Sequence, residues 1–443
     1  MATTLSLQRV RNVWTTRRPP VVVAVAMTVG AEGALVQARQ LSGVQGVSLA
    51  VVAAAGWGLV VSDPRLESRP RWVATAIMLV FALALAAPPR GSHDLWSYVM
   101  YGRTAGVHHA SPYVHPPSDY PHDPFLHLVG AGWRGTTSAY GPLFTQVSAA
   151  LSNIVGTSAL RARLAFQGLA LAGVTAALAL LWNETRSARA VAFVGLHPAV
   201  VTAIVNGGHN DGLVGLSVLL GAILVGRRRY TAAGVAVGLG MLVKASTGFG
   251  LFGIAVWLAG RNRRAAARFV AIAALTTAVG YLPLGTTAVH AIAGTANRTS
   301  RASVWSPIAH ALRSQVGAVA LVTVALPALV AAYRFQSQPL PALGAVSAIA
   351  AYLFVGAYVL PWYAAWGLPA AALARRSWIS KLVAIDAAFL VAAYEFPRQF
   401  AAGSFDAVGR AVTLIPVAVV MLAVFVTALA RSGRPGACAP RGP

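Results

Sequence analysis

The chain has 443 residues, 57% of them hydrophobic and 10% charged, with 35 Lys and Arg against 11 Asp and Glu for a net charge of +24. Soluble domains carry roughly 25% charged residues, so the composition excludes an ordinary soluble enzyme, and a chain this apolar has too much surface to bury to be disordered. Long, almost uncharged runs recur from end to end, which predicts an all-α, polytopic integral membrane protein.

The first run follows Arg9, Arg11, Arg17 and Arg18 and reads as an uncleaved first helix. Apolar length and charge predict spans near 20–38, 42–62, 72–88, 162–182, 190–206, 211–226, 231–246, 247–260, 266–285, 315–333, 341–360, 363–374, 380–396 and 411–430, about 12–14 in all. The excess of Arg sits in short clusters between these runs (Arg227-Arg228-Arg229, Arg261 to Arg264, Arg375-Arg376). This is the positive-inside pattern rather than a nucleic-acid surface, so nucleic acid is not expected as a partner. It places the N-terminus and the tail 431–443 in the cytoplasm of a multi-pass plasma-membrane protein. Residues 142–156 would invert everything after them if they crossed, so they are read as an interfacial helix. They belong to a long external loop, 89–160, within one membrane domain covering 1–443. The single cysteine, Cys438, supports neither a disulfide framework nor a thiolate metal site.

The loop 89–160 is rich in His, Pro, Tyr and Trp, and long loops in compact proteins are usually functional. It opens with Ala87-Pro88-Pro89-Arg90-Gly91-Ser92-His93-Asp94-Leu95-Trp96-Ser97-Tyr98. Asp94 lies just past a span, ahead of an amphipathic helix over 96–107, where it is either an N-cap or a catalytic carboxylate. His93, His108, His109, His115, His122 and His127 crowd this loop, but their spacing matches no metal site, and no metal or other cofactor is expected. Ser92-His93-Asp94 is contiguous and cannot fold into a triad.

Further along, Asn206-Gly207-Gly208-His209-Asn210-Asp211-Gly212 precedes a helix, and Asp211 is either its cap or a ligand contact. Lys244 falls in an apolar run, where a lysine either snorkels to the outer interface or serves function. Arg298 and Arg301 lie in an external Asn/Thr/Ser-rich loop and are candidate contacts for an anionic ligand, with Arg103 and Arg313 as further cations near the outer face. Trp362, Tyr363 and Trp366 read as an outer aromatic belt or a sugar-stacking surface.

Taken in order, the strings from Ala87 to Arg103, Ser111-Pro112-Tyr113, Ala139-Tyr140-Gly141-Pro142-Leu143, Asn206 to Gly212, Leu242-Val243-Lys244 and Leu360-Pro361-Trp362-Tyr363 resemble the actinobacterial polyprenol-phosphomannose-dependent α-1,6-mannosyltransferases. These are glycosyltransferases of the GT-C class, and the resemblance runs from about 85 to 370. The chain departs from the pattern at His93 and Ser111. The resemblance implies a GT-C fold and transfer of mannose, with inversion, from polyprenyl-phosphate mannose to a mannan or lipomannan acceptor on the external face. It also implies Asp94 as the base. The remaining expected contacts to substrate are His93, Tyr98, Arg103, Tyr140, His209, Asp211, Lys244, Arg298, Arg301 and Trp362. The expected partners are the lipid-linked donor, a glycan or glycolipid acceptor and membrane lipids. The alternatives are a related transferase using another polyprenyl-phosphate sugar, such as arabinofuranose, and a lipid-linked-sugar flippase, which should show paired halves.

Overall fold

The computed structural model describes residues 21–38, 40–294 and 338–396, with scattered positions outside these ranges such as Arg298, Ser300 and Ser303. The chain is an all-α polytopic membrane protein, and no strand occurs among the described residues. The expected spans 315–333 and 411–430, the tail 431–443, Arg301 and Arg313 fall wholly or almost wholly outside the described residues.

The first three helices, α1 (Val21–Gln37), α2 (Gly43–Ser62) and α3 (Pro70–Ala86), match the first three expected spans. Local signals set their starts. Ser42 and Gln45 form a capping box at α2, and Pro70 occupies the first turn of α3, where no amide hydrogen is needed. Then come α4 (Asp94–Gly106) and α5 (Pro142–Val155), which are the two helices of the loop 89–160, and α6 (Ala159–Thr185). The second half continues through α7 (Ala188–Gly195), a π-helical segment (Ala199–Asn206), α8 (Asp211–Gly226), α9 (Tyr230–Val243), α10 (Thr247–Ala259), α11 (Arg263–Tyr281) and α12 (Thr287–Gly294). It closes with α13 (Pro341–Val355), a 3₁₀ turn (Pro361–Trp366), α14 (Leu368–Leu373) and α15 (Trp378–Glu395). By length and composition, α2, α6 and α11 with its short extension to Leu284 are able to cross a membrane alone.

Three expected spans change shape for identifiable reasons. Residues 190–206 are two pieces, α7 and the π segment, bent by 58°. Pro198 sits at the break, where its ring cannot donate to the ladder and clashes with the carbonyl four residues back. Residues 363–374 do not cross: the 3₁₀ turn and the six-residue α14 are buried among other helices, and six residues rise only about 9 Å. The span 231–246 ends at Val243, so Lys244 stands beyond the helix with extended backbone (φ −156°, ψ 127°).

One apolar core joins α1–α3 to α6–α11 and α13–α15, and a second lies beneath the loop 89–160. The second core, including Leu95, Tyr98, Met100, Phe125, Phe144 and Phe166, gives the loop an interior of its own. Arg103 braces it. Its Nε donates to both oxygens of Asp123 (3.0 and 2.8 Å), Nη1 donates to the Gly156 carbonyl, and the guanidinium stacks on Phe125. The charge of Arg103, an expected substrate contact, is directed instead to a buried carboxylate. Burial alone would raise the Asp123 carboxyl, but donors from the Phe125 amide, Arg103 and His108 outweigh it and hold the group below its usual range. Asp123 thus stabilises the loop at pH values above about 4, and that contribution is lost as acid titrates it through its lowered pKa. Arg103→Met should destabilise the loop by about 3–5 kcal/mol, the cost of stranding a buried charge. The readout is faster amide exchange over 95–130 at neutral pH. Wild type should reach that state only in strong acid.

Candidate active site

The chain reaches Asp94 along a fixed track. Asn206, at the end of the π segment, donates from Nδ2 to the carbonyls of Ala84 (3.0 Å) and Pro88 (3.0 Å), and its Oδ1 accepts from the Arg90 amide (2.9 Å). Gln167 of α6 ties the same region together by donating to the Asn206 carbonyl (2.6 Å) and the Ala87 carbonyl. The Arg90 guanidinium donates to the Leu35 carbonyl and pairs with Glu395 at 2.7 Å, which explains an acid at the outer end of α15. Buried amide bonds of this kind fix a backbone far more firmly than apolar packing alone.

Helix α4 then begins at Asp94. His93 occupies the cap position without capping; its Nδ1 lies 2.9 Å from the Leu128 carbonyl oxygen, and so it pins the loop rather than joining the site. Asp94 is the first residue inside the helix, where the helix dipole favours a carboxylate but no cap bond is made. The capping alternative for Asp94 is thereby set aside. Its own amide donates to Ser92 Oγ (3.1 Å).

His209 comes to face Asp94 because the turn before it reverses sharply. Gly208 has φ +66°, a left-handed conformation that a side chain strains, and a Cβ there would sit 2.6 Å from Leu95 Cδ1. His209 Nδ1 donates to the Ala203 carbonyl, and Nε2 lies 3.2 Å from Ser92 Oγ and 3.6 Å from Asp94 Oδ2. Trp362 stacks on the imidazole, with centroids 3.9 Å apart and planes at 16°. Burial is the largest influence on Asp94 and pushes its carboxyl up. The hydrogen bond and charge of His209, the charge of Lys244 and the Ser92 hydroxyl together outweigh it, so the group stays ionised below the ordinary carboxylate value.

The second acid, Asp211, opens α8 in the same way, inside the helix and not as its cap. Its Oδ1 accepts from Lys244 Nζ (2.7 Å) and from the Trp366 indole N–H. Lys244 does not snorkel. It turns inward under Tyr140, Tyr363 and Trp366, with Nζ 4.8 Å from the Tyr363 ring centroid. Gly141 makes this possible. Its amide donates to the Val243 carbonyl (3.0 Å), and a Cβ would lie 2.1 Å from the Leu242 oxygen, so only glycine lets the loop touch the end of α9 and lay Tyr140 over the lysine. Tyr98 meets Tyr140 edge-on at 4.8 Å, and burial raises both phenols well above 10, keeping them neutral donors.

The structure thus gathers Asp94, Tyr98, Tyr140, His209, Asp211, Lys244 and Trp362, and leaves His93 and Arg103 as loop struts. Arg298 stacks on Trp133 at 3.9 Å beside Thr136, over the loop. Trp362, Tyr363 and Trp366 are buried within the site and do not form an outer belt. Ser92 and Asn210 went unassigned in the sequence, each adjacent to an assigned residue, and Tyr363 and Trp366 were read there only as a belt or a sugar-stacking surface. Tyr98 Oη, both side-chain polar atoms of Asn210 and Asp211 Oδ2 are buried without a hydrogen-bond partner among the described residues. Such groups are rare unless a ligand or water meets them. No three His, Cys, Asp or Glu converge as metal ligands among the described residues.

Comparisons with known proteins point to one family. Residues 2–261, more than half of the chain, match the family model described as alpha-(1->6)-mannopyranosyltransferase, N-terminal domain. The chain is similar to alpha-(1->6)-mannopyranosyltransferase A of Mycobacterium tuberculosis, 27% identical over 68% of this chain and 64% of that one. It is similar also to the protein of the same name from Corynebacterium glutamicum, 27% identical over 42% of this chain and 38% of that one. The matches therefore span less than two thirds of either relative. No solved structure matches the chain significantly.

Proposed function

The chain belongs to the alpha-(1->6)-mannopyranosyltransferase family, and from that membership we propose that it transfers mannose from polyprenyl-phosphate mannose to a hydroxyl of a mannan or lipomannan acceptor, at the external face of the plasma membrane. The observation that carries this reading is the ionised Asp94 carboxylate at the start of a loop helix, uncommitted to a cap, 3.6 Å from a stacked histidine and within reach of the charge of a buried lysine.

In this scheme Asp94 removes the proton from the acceptor hydroxyl as its oxygen bonds to the anomeric carbon, and the bond from that carbon to the phosphate oxygen breaks. The leaving group departs as polyprenyl phosphate, a stable anion that needs no general acid. One displacement inverts the anomeric centre. Lys244 and Arg298 are the cations proposed to meet the phosphate, and the unpaired polar atoms of Tyr98, Asn210 and Asp211 to meet sugar hydroxyls. His209, oriented by its Nδ1 contact with the Ala203 carbonyl, holds Asp94 and Ser92 in register. No step is routed through a metal or other cofactor.

Purified enzyme offered polyprenyl-phosphate mannose, polyprenyl-phosphate arabinofuranose or a nucleotide-linked mannose in separate reactions, each with a short α-linked mannoside, should extend the mannoside only from the first, and equally well in EDTA. Transfer from another donor alone would overturn the donor assignment.

A further inference from the structure

Next to the catalytic cluster, on the side bounded by the outer ends of α1 and α15, lies a cleft of about 470 Å³ counting its open mouth. Leu35, Arg90, Thr202, Trp362, Val391 and Glu395 are among the residues that line it, and it shares His209 and Trp362 with the site of Asp94.

We propose that this cleft binds the acceptor as a neutral oligosaccharide, delivering its terminal hydroxyl past His209 and Trp362 to Asp94, while the lipid phosphate of the donor binds elsewhere, on the side of Lys244. The inference rests on the transferase reading above. Three observations carry it. The cleft is electrically balanced, because Arg90 is paired with Glu395 at 2.7 Å, while its Nη1 donates to the carbonyls of Leu35 and Ala38. A phosphate would have to break that pair, whereas neutral hydroxyls need only the outward lone pairs and hydrogens of such groups. The lining alternates apolar and polar surface: Leu35, Pro361, Trp362 and Val391 against Thr202, Arg90 and Glu395. That mixture suits the two kinds of face of a pyranose ring. Finally, neither Lys244 nor Arg298 lines the cleft, so the cations suited to phosphate stand apart from it.

The test fills the cleft from two independent helices, with Leu35→Trp on α1 and Val391→Trp on α15, in the full-length protein in detergent. Binding of an α-1,6-linked mannotetraose and of polyprenyl phosphate is titrated separately, and KM for each substrate is measured alongside. Each variant should weaken mannotetraose binding and raise its KM at least about tenfold, equivalent to about 1.4 kcal/mol, with polyprenyl phosphate binding unchanged. Loss of polyprenyl phosphate binding with mannotetraose binding intact would assign the cleft to the donor and overturn the proposal. Unchanged binding of both in either properly folded variant, or no mannotetraose binding by wild type, would overturn it as well. If mannotetraose binds and both variants weaken it, yet no mannosyl transfer occurs, the cleft assignment stands and the transferase reading fails.

Discussion

Asp94→Asn is expected to lower kcat for mannosyl transfer by at least about 10²-fold, the typical contribution of a positioned base. The change is close to isosteric, so the start of α4, the amide bond to Ser92 Oγ and the stack of Trp362 on His209 should all survive. What disappears is the ability to accept a proton. Donor and acceptor binding should move little, and the melting temperature should stay within a few degrees of wild type. The pH profile adds a check. Since the neighbours of Asp94 hold its carboxyl below the ordinary value near 3.9, it is ionised throughout the neutral range, and its loss as a base appears only below about pH 4. A wild-type acid limb near pH 6 would therefore belong to another group. Near-normal transfer by Asp94→Asn would move the role of base to Asp211.

The sequence made some of this site visible and hid the rest for physical reasons. The boundaries of α1 to α3 were readable because the punctuation is local: Ser42 with Gln45, Pro70, and runs of apolar residues of the right length. The loop containing Asp94 was readable because acids are scarce and this one follows a span. The joining of Lys244 to Asp211 was not. Both lie at the ends of helices that are apolar on every side, and such helices carry no periodic stripe to say which face meets which neighbour. Trp362 and Trp366 stayed between a belt and a sugar-stacking surface for a related reason. An aromatic residue at the end of an apolar run looks alike whether it meets the headgroups or, as here, a buried histidine and aspartate. The bend after His197 was signalled by Pro198, yet the run around it is apolar enough to pass for one straight span.

The pairing of Lys244 with Asp211 leads to the other large expected effect. Asp211 has no exposed side-chain surface and Lys244 has 14%, so each relies on the other to offset the loss of hydration. Lys244→Met should leave Asp211 with the Trp366 indole as its remaining donor and destabilise the protein by about 3–5 kcal/mol, read as a fall in melting temperature in detergent. Asp211→Asn combined with Lys244→Met removes both charges. It should recover most of that stability, because a neutral amide still accepts from Trp366 and a methionine fills the space among Tyr140, Tyr363 and Trp366. Transfer, however, should not return. In the proposed scheme the lysine charge also meets the departing phosphate, and no apolar side chain supplies it. Stability and activity thus part company in the double variant: a protein that is stable and inactive assigns the pair to catalysis as well as folding, whereas one that is stable and fully active reduces it to a buried structural pair and leaves the phosphate to Arg298.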